Sequence, residues 1–295
     1  MNDHLFHTAP KTVGVIAGRM LIYAMLILMV LYFLLPFIVM VLTSLKTMAD
    51  IRTGNLISWP REFTLDAWKT AWGSACIAVE CNGIKVYFWN SVKIVVPAVI
   101  ISTLIGAANG YVFSKWKFWG SEVLFSLLLL GCFIPFQAIL LPMAQTLGKL
   151  GLSQNLAGLI LVHIIYGLAF TTLFFRNYYV TIPDELVKAA RIDGAGFFRI
   201  FWKILLPVST PIFVVSVIWQ TTQIWNDFLF GVVFSAGGNQ PITVALNNLV
   251  NTSTGTKAYN VDMAAAIIAA MPTLLVYIVA GKYFVRGLTA GSVKG

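Results

Sequence analysis

Gln220, Gln223 and Asp227 recur at i, i+3 and i+7 inside an apolar stretch, with Trp219, Thr222 and Asn226 one step around. At 3.6 residues per turn, a helix gathers these groups into one polar stripe. A carboxylate inside a bilayer is costly, so it should face protein or water and not lipid. Amides and a carboxylate suit the hydroxyls of a sugar, and an aromatic face suits the C–H side of its ring. The same polar groups would serve equally to hydrogen-bond a neighbouring helix or a partner chain. Phe136 and Gln137, beside Pro135, are further candidates of this kind. His163 has no second histidine near it and reads as a packing residue.

The elements that hold these residues follow from composition. The chain has 295 residues, 59% of them apolar and 11% charged, with 20 Lys and Arg against 11 Asp and Glu. Soluble domains carry about 25% charge, so too little polar side chain is present to cover a globular surface. The net charge of +9 is not gathered into any run of four basic residues, which favours a membrane over a nucleic acid as the surroundings.

A bilayer core about 30 Å thick needs roughly 20 apolar residues per helix. Stretches free of Asp, Glu, Lys and Arg lie between Arg19 and Lys46, Lys93 and Lys115, Glu122 and Lys149, Lys149 and Arg176, Lys203 and Asp227, and Asp262 and Lys282. We expect an all-α membrane protein with six transmembrane helices over about 20–45, 94–114, 123–146, 156–175, 208–231 and 263–281. The first span lacks a small-residue cleavage site and reads as a retained anchor. With the N-terminus inside, twelve of the basic residues flank the inner side, and six of the eight on the outer side belong to or border the long first outer loop. Both termini are therefore expected in the cytoplasm, with segments 1–19 and 288–295 outside the six-helix membrane body at 20–287. Trp59, Trp68, Trp72 and Trp89 suit the headgroup level. Cys76 and Cys81 fall in that outer loop and are either a short-loop disulfide or two free thiols, whereas Cys132 is a small packing residue. No His, Cys, Asp and Glu pattern at metal-ligand spacing is present.

The inner loop at 181–207 is the most informative segment. Thr181 and Asp184 fit a helix N-cap with an acidic partner, Pro183 suits the first turn, and Gly194 is placed to stop the helix. Ala189 and Ala190 would let another surface approach the backbone, with Glu185, Lys188 and Arg191 at the rim. A second amphipathic piece carries Phe197, Phe198, Ile200, Phe201, Trp202 and Ile204 before Pro207 opens the fifth span. On physics alone this is also what a helical hairpin lying on the inner membrane face looks like.

The spacing Ala189-Ala190, Gly194, Ile204, Leu206-Pro207, with Asp193 beside the glycine, resembles the EAA signature of the membrane subunits of bacterial ATP-binding-cassette importers. In that family the segment forms a cytoplasmic coupling helix that docks into a cleft on the ATPase subunit. The usual glutamate of the signature is Lys188 here, so its salt bridge does not carry over. Glu185 either supplies an acidic contact or pairs with Lys188 at i,i+3. The ending Arg286-Gly-Leu-Thr289-Ala290-Gly291-Ser-Val-Lys294-Gly resembles that of the carbohydrate branch, related to the maltose-type inner-membrane subunit. It implies a second ATPase contact at Thr289 to Lys294. The stretch from Cys76 to Ser91 looks like that of glucose or mannose-type permeases.

The resemblance implies a type I importer permease fold and a transport subunit that is not an enzyme. It implies a second permease or a second copy, two ATPase subunits and an external sugar-binding protein as partners. The chain has no Gly-x-x-x-x-Gly-Lys-Ser/Thr loop, so ATP and Mg belong to the partner ATPase. An ion-coupled secondary transporter of a small polar solute is the rival reading, but such proteins carry internal repeats of broken helices and several buried ionisable groups. An intramembrane enzyme would need paired carboxylates, a metal motif or a Gly-x-Ser-x-Gly nucleophile, and none is present.

Overall fold

The computed structural model describes residues 13–251 and 257–290, with side chains described for 15–251 and 257–281. The elements in chain order are α1 (Val13–Ser44), α2 (Met48–Thr53), α3 (Asp66–Gly73), α4 (Lys85–Lys115), α5 (Ser121–Phe133), α6 (Phe136–Lys149), α7 (Leu156–Val180) and α8 (Asp184–Ile192). Then follow α9 (Phe197–Ile200), a π-helical turn (Phe201–Leu205), α10 (Leu206–Val208), α11 (Thr210–Trp225), α12 (Leu229–Phe234), α13 (Ile242–Asn251) and α14 (Tyr259–Ala290). Among the described residues, four helices are long and apolar enough to cross a membrane, at Val15–Ser44, Lys85–Lys115, Leu156–Val180 and Tyr259–Gly281. Two bent pairs bring the number to six if each pair is one span.

The first bend falls inside the stretch expected at 123–146, and the second at Ser209, where the stretch expected at 208–231 begins. Between α5 and α6 the direction turns by 103°. Pro135 removes a backbone donor and forces Ile134 out of the helical region, to φ −68° and ψ 121°. The second pair, Phe197–Val208 and Thr210–Trp225, bends by 79°. The corner is Ser209, two residues past Pro207, where the Ser209 hydroxyl donates to the Leu205 carbonyl. The π-turn upstream of Pro207 absorbs the missing proline N–H, with Leu206 N–H donating to Phe201 O.

The chain divides into two compact units, Met1–Trp68 with Ala258–Ala264, and Lys69–Lys257 with Ala265–Gly295. In the first, α1 is apolar and exposed along most of its length. Its loop folds around two buried charges. Lys46 Nζ donates to Asn55 O and Ser58 Oγ, each at 3.1 Å, and Asp50 accepts from Arg61 N–H at 3.0 Å. Lys46 is thus a structural cation as well as a flanking charge.

The second unit is organised by α4 packed along α7. Ser102, Gly106, Gly110 and Ser114 recur every fourth residue on α4, and the small side chains let the two backbones approach closely. A Cβ on Gly106 would collide with Thr171, and one on Gly110 with Phe175 and the Arg176 backbone. The contact is also polar: Thr171 Oγ1 donates to Ser102 O at 3.0 Å, and Asn109 Nδ2 to Thr172 Oγ1 at 3.3 Å.

Candidate functional site

A cavity of about 370 Å³ opens between α7, α11, α12 and the first residue of α6. It brings together Trp219, Gln220, Gln223, Asn226, Asp227 and Phe136 from the sequence expectations, and adds His163, Tyr166 and Phe230. Gln137, one residue on from Phe136, is exposed and does not line it.

The polar groups are not one helical stripe, because α11 ends at Trp225 and Asp227 lies beyond it. Asp227 instead caps the start of α12, accepting from Phe230 N–H at 3.2 Å and Gly231 N–H at 3.0 Å. Its own carbonyl accepts from Thr243 Oγ1 at 2.6 Å. His163 Nε2 stands 3.7 Å from the same carboxylate. The carboxylate is therefore largely committed to its own protein, which is how so apolar a setting tolerates it.

Gln220 is 1% exposed and reaches out of α11 to donate from Nε2 to Ser102 Oγ on α4 at 2.7 Å. A Cβ on Gly167 would occupy the space of that amide. Of the two uses open to Gln220, tying helices together is the one its side chain serves. Gln223 and Asn226 are exposed, and Asn226 Oδ1 accepts from Thr273 Oγ1 at 3.4 Å. Among the described residues the Gln223 amide makes no hydrogen bond, leaving it open to a ligand.

The remaining wall is aromatic. Trp219 lies against Phe170 with ring centroids 4.5 Å apart and meets Phe174 edge-on at 5.5 Å. Phe230 receives Phe136, Tyr166 and His163 edge-on at 6.1, 5.5 and 5.6 Å. A few free amides set among aromatic faces can hold a neutral polyhydroxylated ring in one orientation. The involvement of His163 and Tyr166 was legible in one respect only: His163 and Asp227 are ionisable groups in neighbouring apolar stretches, and such groups seek each other.

The 181–207 loop forms a second candidate site. The helix α8 starts after Pro183, and Thr181 does not cap it: the Thr181 hydroxyl donates back to Tyr178 O at 2.7 Å. Thr181 closes α7, so it is unavailable to α8. Gly194 takes φ +77° just past the helix end, and Ala195 N–H donates to Ala190 O at 2.9 Å. The two alanines part company. Ala190 is 7% exposed and packs with Val187 against Tyr111, Phe175, Tyr179, Ile200 and Leu205. Ala189 faces outward with Glu185, Leu186, Lys188 and Asp193, beside Ile192 at 87% exposed. Only Ala189 can admit another surface. Glu185 and Lys188 form no ion pair with each other, and Arg191 is not a free rim charge.

Arg191 lies over the Trp116 ring at 4.2 Å and donates to Lys115 O at 3.4 Å. At the other end of α8, Lys115 Nζ donates to Ile182 O and to the Asp184 carboxylate. That ammonium holds the Asp184 carboxyl below the usual carboxylate range. Tyr111 stacks on Phe197 at 4.7 Å, fastening α9 to the same end of α4. Ile204 and Leu206 are half-buried and Pro207 is exposed. Thr289 and Ala290 end α14 with undescribed side chains, and Gly291 and Lys294 lie outside the described residues.

Cys76 and Cys81 are joined in a disulfide that closes a small turn, and Ile77 and Glu80 pair across it through Ile77 N–H to Glu80 O at 2.7 Å and Glu80 N–H to Ile77 O at 3.1 Å. Among the described residues no three His, Cys, Asp or Glu side chains gather where a metal ion could sit.

Residues 98–289 match the family described as binding-protein-dependent transport system inner membrane component. A probable ABC transporter permease protein of Pyrococcus horikoshii is 49% identical over 176 residues, covering 59% of this chain and 63% of that protein. The xylose/arabinose import permease protein of Haloferax volcanii is 31% identical over 96% of each chain. In a crystal structure of a bacterial ABC transporter involved in the import of the acidic polysaccharide alginate, one chain superposes with a TM-score of 0.82 at 20% identity, over 94% of this chain and all of that one.

Proposed function

Because this chain belongs to the binding-protein-dependent transport system inner membrane component family, a non-catalytic permease of ABC transporters, we propose that its chamber is the membrane path of a small sugar delivered by an external binding protein. The chamber supports this reading: one aromatic face at Trp219 and free amide capacity at Gln223, in about 370 Å³. That volume lies at the small end of ligand pockets, which run from about 300 to 1,000 Å³, and suits one or two sugar rings better than a long polymer. The Haloferax relative, similar over nearly the whole chain, is named for pentose import. The stretch from Cys76 to Ser91 inclines the reading to a glucose or mannose-type substrate.

On this reading both termini are cytoplasmic, and α8 with its outward residues Glu185, Lys188, Ala189 and Asp193 meets a separate ATPase that binds ATP and Mg. The resemblance implies a second contact with the same partner at Thr289 to Lys294. A second permease, related or identical, completes the path. The Cys76–Cys81 disulfide fits a turn on the oxidising outer side.

The test is reconstitution in proteoliposomes of this chain with its partner permease, ATPase and binding protein. Uptake of a labelled monosaccharide should require ATP and fall when Trp219 is replaced by Ala. Uptake by this chain alone, driven by an ion gradient, would overturn the proposal.

A further inference from the structure

One end of α4 holds α8, and its middle bonds Gln220, a residue of the chamber wall. At the end, Lys115 Nζ bonds both Ile182 O and Asp184, on the approach to α8 and its first turn. Trp116 receives Arg191 from the last turn of α8. The helix is thus gripped at both ends by two consecutive residues. The Lys115 side chain is 4% exposed and Asp184 64% exposed, so the ammonium is buried against backbone while its partner remains reachable from solvent. Removing the carboxylate leaves a buried cation with the Ile182 carbonyl and one bond fewer.

Between these points α4 is locked to α7 by the close approach at Gly106 and Gly110. One turn nearer the chamber than Gly106, Ser102 receives Gln220 from α11 and gives its carbonyl to Thr171 of α7. A displacement of α8 therefore meets no loose joint before it reaches the wall that carries Gln220.

We propose that Lys115 and Trp116 are positioning residues for α8, and that α4 is the strut by which movement of α8 reaches the chamber at Gln220. This rests on α8 being the helix that meets the ATPase. Two other cations do not replace the ionic part of this grip: Lys117 and Arg176 are engaged with Glu122 of α5, at 3.2 and 3.4 Å, and the remaining hold on α8 is the apolar packing of Val187 and Ala190.

The experiment uses the complete importer in proteoliposomes and reads substrate imported per ATP hydrolysed. Asp184→Asn and Lys115→Met should each lower this ratio by about fivefold while the ATPase still co-purifies in normal amount. Ser102→Ala should lower it in the same direction. Lys115→Arg should restore it, and Lys117→Gln should leave it unchanged. If Lys115→Met does not accumulate in the membrane, Asp184→Asn decides, since it alters one exposed side chain isosterically. A normal ratio in Asp184→Asn, or in Ser102→Ala alone, overturns the strut. Failure of the underlying reading looks different: Ile192→Asp, on the outward face of α8, would then still co-purify with the ATPase.

Discussion

The Gln220 side chain reaches Ser102 through a gap that Gly167 leaves open, so three helices meet at one buried amide. Filling that gap should be costly from either side. Gly167→Val is expected to destabilise the protein by about 1–3 kcal/mol through overpacking and the lost hydrogen bond. Thermal unfolding of the detergent-solubilised protein checks this, and Ser102→Ala should cost less than Gly167→Val because it adds no volume.

Asp227 tests whether a buried carboxylate is there for the solute or for the fold. Asp227→Ala should lose about 1 kcal/mol as the cap on α12 disappears, together with its contact to His163. Asp227→Asn keeps one acceptor for the Phe230 and Gly231 amides and should recover most of the melting temperature. If uptake recovers with Asn as well, the carboxylate charge is not needed by the solute.

Trp219 is held by Phe170 and Phe174, so the ring is fixed before any solute arrives. Trp219→Leu should raise the half-saturation concentration for uptake by about tenfold, the upper end of what one aromatic contact supplies. Trp219→Phe should recover part of that loss. The readout is initial uptake rate across a concentration series.

The two alanines of α8 should give opposite phenotypes. Ala190→Glu places a carboxylate among Tyr111, Phe175 and Leu205 and should destabilise the chain by about 3 kcal/mol or more, seen as lost membrane yield. Ala189→Glu should leave yield and melting temperature unchanged and weaken association with the ATPase, measured by co-purification.

The Asp184 carboxyl is held below the usual carboxylate range by Lys115. A depressed acid contributes stability above its unfolded pKa and loses it as pH falls through the still lower folded one. The grip on α8 should thus be constant between pH 6 and 8, and the import ratio flat there as far as this contact sets it.

The sequence carried the helical class, the stretches long enough to span a bilayer and six of the thirteen residues that line the chamber, because apolar runs and rare polar groups are local signals. It missed the path of the third and fifth stretches. Pro135 was visible, but whether a proline kinks a helix or breaks it by 103° depends on what packs around the corner. Helical spacing placed Gln220 and Asp227 on one stripe, whereas the chain leaves the helix at Trp225 and hands Asp227 to α12. Which alanine of the adjacent pair faces inward was also open, since Tyr111 and Phe175, which cover Ala190, come from distant segments. The grip of Lys115 on Asp184 joins residues 69 apart, beyond any periodicity.

The reach of α4 has a mechanical corollary. Ser102 and Lys115 are separated by thirteen residues of helix, about 20 Å at 1.5 Å per residue. Pivoting that arm by about 5° at its Lys115 end sweeps Ser102 through about 2 Å, which exceeds the slack in a hydrogen bond. The amide of Gln220 must then follow or let go, so a gentle rocking at one face of the bundle becomes an all-or-none change in the chamber wall.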